Sequence, residues 1–145
     1  MTAVASLSQV IIRPGEAGDA SFIHSSWFNS YLRNSRWPGV VGPCFHAEHS
    51  EVIKRLMDRS EIRVAAWSED PETIIGWCAV EEAKGLRAIH YCFVRKEFRR
   101  QGIASRIVGE FVSPGDTAVV THRTTDADKI RWPIGWSYNP YPALR

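Results

Sequence analysis

Cysteine is scarce in this chain of 145 residues, which holds three. Cys44, Cys78 and Cys92 are widely spaced and form no CxxC pair, which argues against a disulfide framework and a zinc knuckle and suits a reducing cytoplasm. An excess of one charge is also lacking. Lys plus Arg number 18 against 16 Asp plus Glu, and the formal net charge of +2 is too small for a dedicated nucleic-acid or membrane-surface binder. No run approaches the roughly 20 apolar residues that cross a bilayer, and the first residues lack the charged start and apolar stretch of a secretory leader. A soluble, cytoplasmic protein is expected. Neither GxxxxGK[ST] nor GxGxxG with a later acidic residue occurs, which removes the Walker and Rossmann phosphate sites. What is present is 44% hydrophobic and 11% aromatic residues, sufficient for one globular domain over 1–145 and too apolar for a disordered chain.

Val10, Ile11 and Ile12 ahead of Arg13 and Pro14 predict a short first strand. A helix then starts near Asp19, its candidate N-cap, with Phe22, Ile23, Trp27, Phe28, Tyr31 and Leu32 on one face. Residues 35–43 read as a loop, and 46–59 as a second helix striped by Val52, Ile53, Leu56 and Met57. The period then shortens. Ile62, Val64 and Ala66 alternate, 73–80 is nearly all apolar, and reversals at Asp70-Pro71 and Lys84-Gly85 predict a three-strand meander ending with Leu86 to Val94. A third helix is expected over 102–111 and a short buried strand from Ala118 to Thr121. Beyond His122, prolines mix with Trp132, Trp136, Tyr138 and Tyr141, an irregular end too aromatic to be a free tail.

The window from Val94 to Ser105, VRKEFRRQGIAS, joins the last meander strand to the third helix. A helix start leaves N–H groups unpaired and a partial positive charge, and Gly102 and Ala104 put no bulk before them, so an anion site is the physical inference. A basic turn bent at a glycine is the plainer reading of the same residues.

Arg99-Arg100-Gln101-Gly102-Ile103-Ala104 fits the pattern R/Q-x-x-G-x-G/A. On these residues the sequence resembles the GNAT superfamily of acyl-CoA-dependent N-acyltransferases, and the approach from Val94 to Phe98 and the predicted element order from Val10 to Val120 are similar to that family's. The resemblance implies an α+β fold in three layers, α/β/α, with a mixed, mostly antiparallel central sheet and helices on both faces. It implies acetyl-CoA as co-substrate without a metal, and direct transfer of the acyl group to a primary amine in a ternary complex. Phe93 and Val94 would pair with the pantetheine arm. Arg99, Arg100, Gln101, Gly102, Ile103, Ala104 and Ser105 would surround the pyrophosphate.

Attack of an amine on a thioester needs a base. His90, four residues before Val94, is the first candidate, with a pKa ordinarily near the working range. The arylalkylamine N-acetyltransferase branch is similar in carrying a catalytic histidine at this spacing, although Ala88 replaces its second one. A packed structural histidine is the alternative. His122, at the end of the short buried strand, is the second candidate. Glu81 and Glu82 beside a turn read more readily as a solvated pair. Family members often protonate the leaving thiolate with a tyrosine after the fifth strand; none occurs over 125–130, so Tyr138 or Tyr141 would substitute. His46 and His49 form an HxxH pair without companion ligands and read as a polar helix start rather than a zinc site. Trp27, Tyr31, Trp37 and Phe45 read as core before acceptor pocket, and Cys92 as a small packed residue. Two other functions stay open: a non-catalytic CoA-binding module of the same fold, and nucleic-acid binding through Arg95, Lys96, Arg99, Arg100 and Arg106, against which the modest net charge argues. A homodimer is compatible with either transferase or module.

Overall fold

The apolar run at Val10 builds strand β1 (Val10–Pro14), and the shortened period after residue 60 builds β2 (Glu61–Trp67), β3 (Ile74–Ala83) and β4 (Leu86–Val94). Each is antiparallel to the one before. The computed structural model describes residues 9–35, 42, 44–128 and 132–145. In it β5 (Ala118–Val120) runs parallel to β4, β6 (Trp136–Tyr138) runs parallel to β5, and the sheet order is β1-β2-β3-β4-β5-β6. Pro14 is tolerated because β1 is an edge strand, where its missing N–H leaves no rung empty. Lys84 and Gly85, with φ of 55° and 74°, supply the paired left-handed residues that a two-residue hairpin needs. β6 corrects the expectation of an irregular end: Pro133 and Pro140 bracket this strand rather than interrupt it.

Alternation along β3, reset by an extra residue at Ile75 where its pairing with β2 steps from Ala65–Gly76 to Ala66–Ile74, sorts the core into two layers. Trp77 and Ala79 point to one face, where α1 (Ala20–Asn34) and α2 (Cys44–Arg59) contribute Ile23, Trp27, Tyr31, Phe45, Ile53 and Leu56. Ile75, Cys78 and Val80 point to the other, which α3 (Ile103–Val108) covers with Ile103 and Ile107. This is the expected three-layer α+β fold with a mixed, mostly antiparallel sheet. Full burial of each large apolar side chain contributes about 1.5–3 kcal/mol. Trp27, Tyr31 and Phe45 belong to the core as read from the sequence; Trp37 lies outside the described residues. A fourth helix, α4, is a single turn (Thr125–Asp128). Among the described residues no helix is long and apolar enough to cross a membrane.

One cap and one boundary differ from expectation. Asp19 stands at the N-cap position of α1, as read from the sequence, but its side chain makes no capping bond to that helix. Its carboxylate accepts two bonds from Arg13, at 2.7 and 2.9 Å, and one from the Glu16 N–H at 2.8 Å. The Arg13 hydrogen bonds hold this buried carboxyl below its usual pKa. The third helix is shorter than expected: Gly109 N–H still makes the helical bond to Ser105 O at 2.9 Å, but Glu110 and Phe111 N–H then reach only three residues back, to Ile107 O and Val108 O at 3.1 and 2.9 Å, so the α-helix gives way to tighter turns.

At Gly76 in β3, an added Cβ would lie 2.6 Å from the Phe93 carbonyl oxygen and 3.2 Å from the Val94 Cα. Main-chain atoms of a paired central strand cannot step aside. Gly76→Ala should therefore lower the denaturation midpoint by about 1–3 kcal/mol of stability, the cost of overpacking. Gly18→Ala, where nothing lies within 4 Å, should leave it near wild type. Equal midpoints for the two variants would contradict the close approach at Gly76.

Candidate functional site

β4 and β5 share two paired positions, Ala88 with Val119 and Ile89 with Val120, and a last bond from Thr121 N–H to Ile89 O at 3.1 Å. Beyond it the strands part. β5 is only three residues long, and β4 carries an extra residue, His90, where its pairing steps from Ala79–Tyr91 to Val80–Ile89. Such a bulge bends a strand and breaks its ladder. Alternation of antiparallel pairs then decides which groups face the gap. Arg95 N–H bonds Ile75 O at 2.8 Å, so Phe93 is paired with Trp77 of β3, whereas Cys92 and Val94 turn their main-chain groups away from β3 and into the gap. Val94 O accepts from Arg99 Nε at 2.9 Å.

After a 3₁₀ turn at Lys96–Phe98 the chain enters α3 through Arg100 and Gly102, both left-handed, with φ of 64° and 80°. Left-handed residues before a helix turn successive N–H groups toward one concavity. The space beside Gly102 is open: a Cβ there would meet nothing within 4 Å. Arg99, Arg100, Ala104 and Ser105 are exposed around it, while the Ile103 side chain is core. Gln101 Oε1 is buried with no hydrogen-bond partner.

The same bulge aims His90 into a continuous row of polar groups. Arg59 Nε and Nη2 donate to the Glu81 carboxylate at 3.1 and 3.2 Å, and Glu81 Oε1 is 2.9 Å from His90 Nε2. His90 Nδ1 is 2.9 Å from Thr121 Oγ1, which is 3.0 Å from His122 Nδ1. His122 Nε2 is in turn 3.0 Å from His49 Nε2. Exposure is 0% for His90 and 4% for His122. Burial pushes the pKa of both rings down, His122 well below the ordinary value, against a smaller upward pull of Glu81 on His90. Burial also pushes His49 down to about 4. Burial alone would raise the Glu81 carboxyl, but hydrogen bonds from Arg59 and His90 outweigh it and hold the group below its usual pKa. All three rings are thus neutral at neutral pH, and Glu81 is charged.

Most candidates named from the sequence fall into two groups; Phe93 does not, because its main-chain groups face Trp77 of β3 and not the gap, where an incoming arm was expected to pair with them. Val94 and 99–105 line the gap and the turn; His90 and His122 lie in the polar row. Tyr138, 37% exposed on β6, is close enough to Tyr31 to raise its pKa, after the larger effect of burial. Tyr141 is exposed in the final 3₁₀ turn, Tyr141–Leu144. Glu81 corrects the solvated-pair reading, its side chain being 14% exposed; Glu82 is exposed as expected. His49 also departs from the reading as a polar helix start. It stacks on Phe45 (5.0 Å between centroids, 7°) and on Tyr31 (4.9 Å, 26°). The signal that finds it is spacing, since Phe45, His49, Ile53 and Leu56 share one helical stripe. His46 faces Phe28 and Phe45 instead. Among the described residues no group of three or more His, Cys, Asp or Glu is placed to hold a metal ion.

The sequence profile of the acetyltransferase (GNAT) family matches residues 26–113. A candidate acetyltransferase from Deinococcus radiodurans R1 is 17% identical, with 89% of this chain and 81% of that one covered and a TM-score of 0.53. One from Pyrococcus furiosus is 18% identical over 70% of each chain, with a TM-score of 0.54. One from Clostridium difficile 630 is 14% identical over 90% of this chain and 79% of that one, with a TM-score of 0.53. These likenesses show the fold. No curated protein matches the sequence significantly.

Burying neutral histidines carries a consequence for stability. The unfolded rings bind protons near pH 6.5, which the folded rings refuse, so stability falls as pH drops below about 6.5, by up to about 1.4 kcal/mol per unit for each ring until its folded pKa is reached. Urea midpoints should drop between pH 7 and pH 5, and His122→Gln, which removes one titrating ring, should flatten the dependence. A wild-type midpoint equal at both pH values would contradict neutral burial of His90 and His122.

Proposed function

Since this chain belongs to the acetyltransferase (GNAT) family, we propose that it is an acetyl-CoA-dependent N-acetyltransferase that moves the acetyl group directly to a primary amine within a ternary complex. The observation that carries this reading is the parting of β4 from β5 beside the Gly102 turn. An open gap edged by main-chain groups suits an amide-bearing arm, and the turn suits a diphosphate. The open space beside Gly102 fits such a ligand, and the orphaned Gln101 Oε1, an acceptor, suits a donor such as an amide N–H of the arm rather than the diphosphate. Acetyl-CoA would supply the activated carbonyl.

The chain's own groups divide the work. Amides of Gln101 to Ala104 and the exposed Arg99 and Arg100 hold the pyrophosphate, with Ser105 at the next position of the helix. Val94 N–H, directed into the gap, donates to the oxygen that gains charge during transfer; one preorganised donor of this kind contributes about 3–4 kcal/mol. Phe93 holds Val94 in place through its pairing with Trp77. His90 and His122 belong to the polar row through which the amine's proton is handled, with Glu81 beside His90 to balance its charge, and Tyr138 is the candidate to protonate the departing sulfur. The three free thiols are compatible with work in a reducing cytoplasm.

Nucleic-acid binding is disfavoured by where the basic side chains go. Arg95 lies over the Phe22 ring at 4.8 Å and bonds Ile74 O, Arg99 bonds Val94 O at 2.9 Å, and Arg106 bonds Val10 O at 2.8 Å. Three of the five basic side chains named for that role thus each commit a donor to the protein's own main chain.

Acetyl-CoA at about 100 times its Kd should stabilise the protein by about 2.7 kcal/mol. Gly102→Val, which crowds the open space and cannot adopt a φ of 80° without strain, should weaken binding at least about tenfold, or about 1.4 kcal/mol. Thiol release in the presence of an amine panel separates an enzyme from a silent CoA-binding module. The absence of any thermal shift at millimolar acetyl-CoA would contradict the proposal.

A further inference from the structure

His90 and His122 cannot themselves touch an amine, because each is buried and both nitrogens of each ring are engaged. The row they belong to nevertheless has an open end, and proton counting identifies its atom. Ionised Glu81 only accepts, so His90 Nε2 carries the hydrogen between them. In the neutral ring His90 Nδ1 is then a bare acceptor, which the Thr121 hydroxyl must serve. That hydroxyl has one hydrogen, so toward His122 it accepts, and His122 carries its hydrogen on Nδ1. His122 Nε2 accepts in turn from His49 Nε2–H. What remains is a lone pair on His49 Nδ1, which has no hydrogen-bond partner among the described residues, on a ring that is half-buried rather than enclosed.

We propose, on the basis of the acetyl-transfer reading above, that His49 Nδ1 is the base that takes the acceptor amine's proton. Glu81 holds it in that role through His90, Thr121 and His122, which are positioning residues. The amine nitrogen forms its bond to the acyl carbon, the C–S bond breaks, and its electron pair leaves on sulfur. The nitrogen's proton enters at His49 Nδ1. His49 Nε2–H passes to His122 Nε2, His122 Nδ1–H to Thr121 Oγ1, and the Thr121 hydrogen to His90 Nδ1. The positive charge thereby comes to rest on His90, 2.9 Å from the Glu81 carboxylate, rather than on a ring stacked against Phe45 and Tyr31. Opposite charge at that distance favours the protonated ring. Return of the proton to the departing sulfur or to water restores every tautomer. The titratable groups around His49 are Tyr31 from α1 and His122 from the end of β5, with His46 one turn back on its own helix and Tyr138 acting on Tyr31 from β6.

Imidazole ¹⁵N spectra of the full chain at pH 7 test the tautomers without any acceptor. His49 and His90 should be protonated at Nε2 and His122 at Nδ1, and Thr121→Val, which removes the hydroxyl, should unfix His122 and His49. A His49 ring protonated at Nδ1 overturns the proposal whatever the enzyme does. The kinetic arm follows thiol release from acetyl-CoA with tyramine, spermidine and a lysyl peptide. On an amine that wild type acetylates, His49→Ala should lower kcat about 100-fold or more while keeping the thermal shift with acetyl-CoA, and added imidazole should restore much of the lost rate, which a packing defect would not allow. Wild-type turnover in His49→Ala overturns the base assignment and leaves the transfer reading standing. Failure of wild type on every amine overturns the transfer reading and this proposal with it.

Discussion

A main-chain ladder that stops early is the constraint on which this molecule turns. Buried N–H and C=O groups need partners, and a sheet ordinarily provides them. Here one extra residue in β4 and a three-residue β5 end the provision at Ile89 and Thr121. The bulge at His90 has two results. It frees the Val94 edge, and it swings the His90 ring toward Glu81 and Thr121, which a regular strand would have left apart.

The aromatic layer on the helical face supports the second result. His122 meets Trp27, Tyr31 and Tyr91 edge-on, with centroids 5.4, 4.7 and 5.9 Å away. That enclosure keeps the ring neutral and in place, and the hydrogen-bonded row satisfies both of its nitrogens, so burial is not left uncompensated. At the other end, Arg59 ties the row to the carboxyl-terminal segment by donating to Pro142 O at 2.9 Å and to Arg145 O. Glu81 is thus held by α2, and α2 holds the segment whose Ala143 enters the core. Packing, electrostatics and proton positions form one connected set.

The fold was legible in the sequence because its signals are local. The apolar stripe of α1, the alternation of β2 and the left-handed Lys84-Gly85 pair each occupy a few adjacent residues. The Gly102 turn was equally plain. β6 was not, since a three-residue strand between Pro133 and Pro140 carries the composition of a loop and exists only because β5 offers an edge. Asp19 looked like a cap, but Arg13 competes for its oxygens more strongly than the helix N–H groups do. The polar row was legible only in part: His90 and His122 stood out as residues, but His49 joins His122 across 73 positions and Thr121 joins His90 across 31. No short-range pattern reports such contacts.

The central claim is that the edge freed by the bulge and the turn at Gly102 bind one ligand together. Amide chemical-shift mapping of the labelled chain, titrated with acetyl-CoA, measures this most directly. The account predicts large, saturating shifts at the amides of Val94 and of Gln101 to Ala104 with a common affinity. Shifts confined to other surfaces, or a Val94 amide that stays fixed while the turn responds, would contradict it.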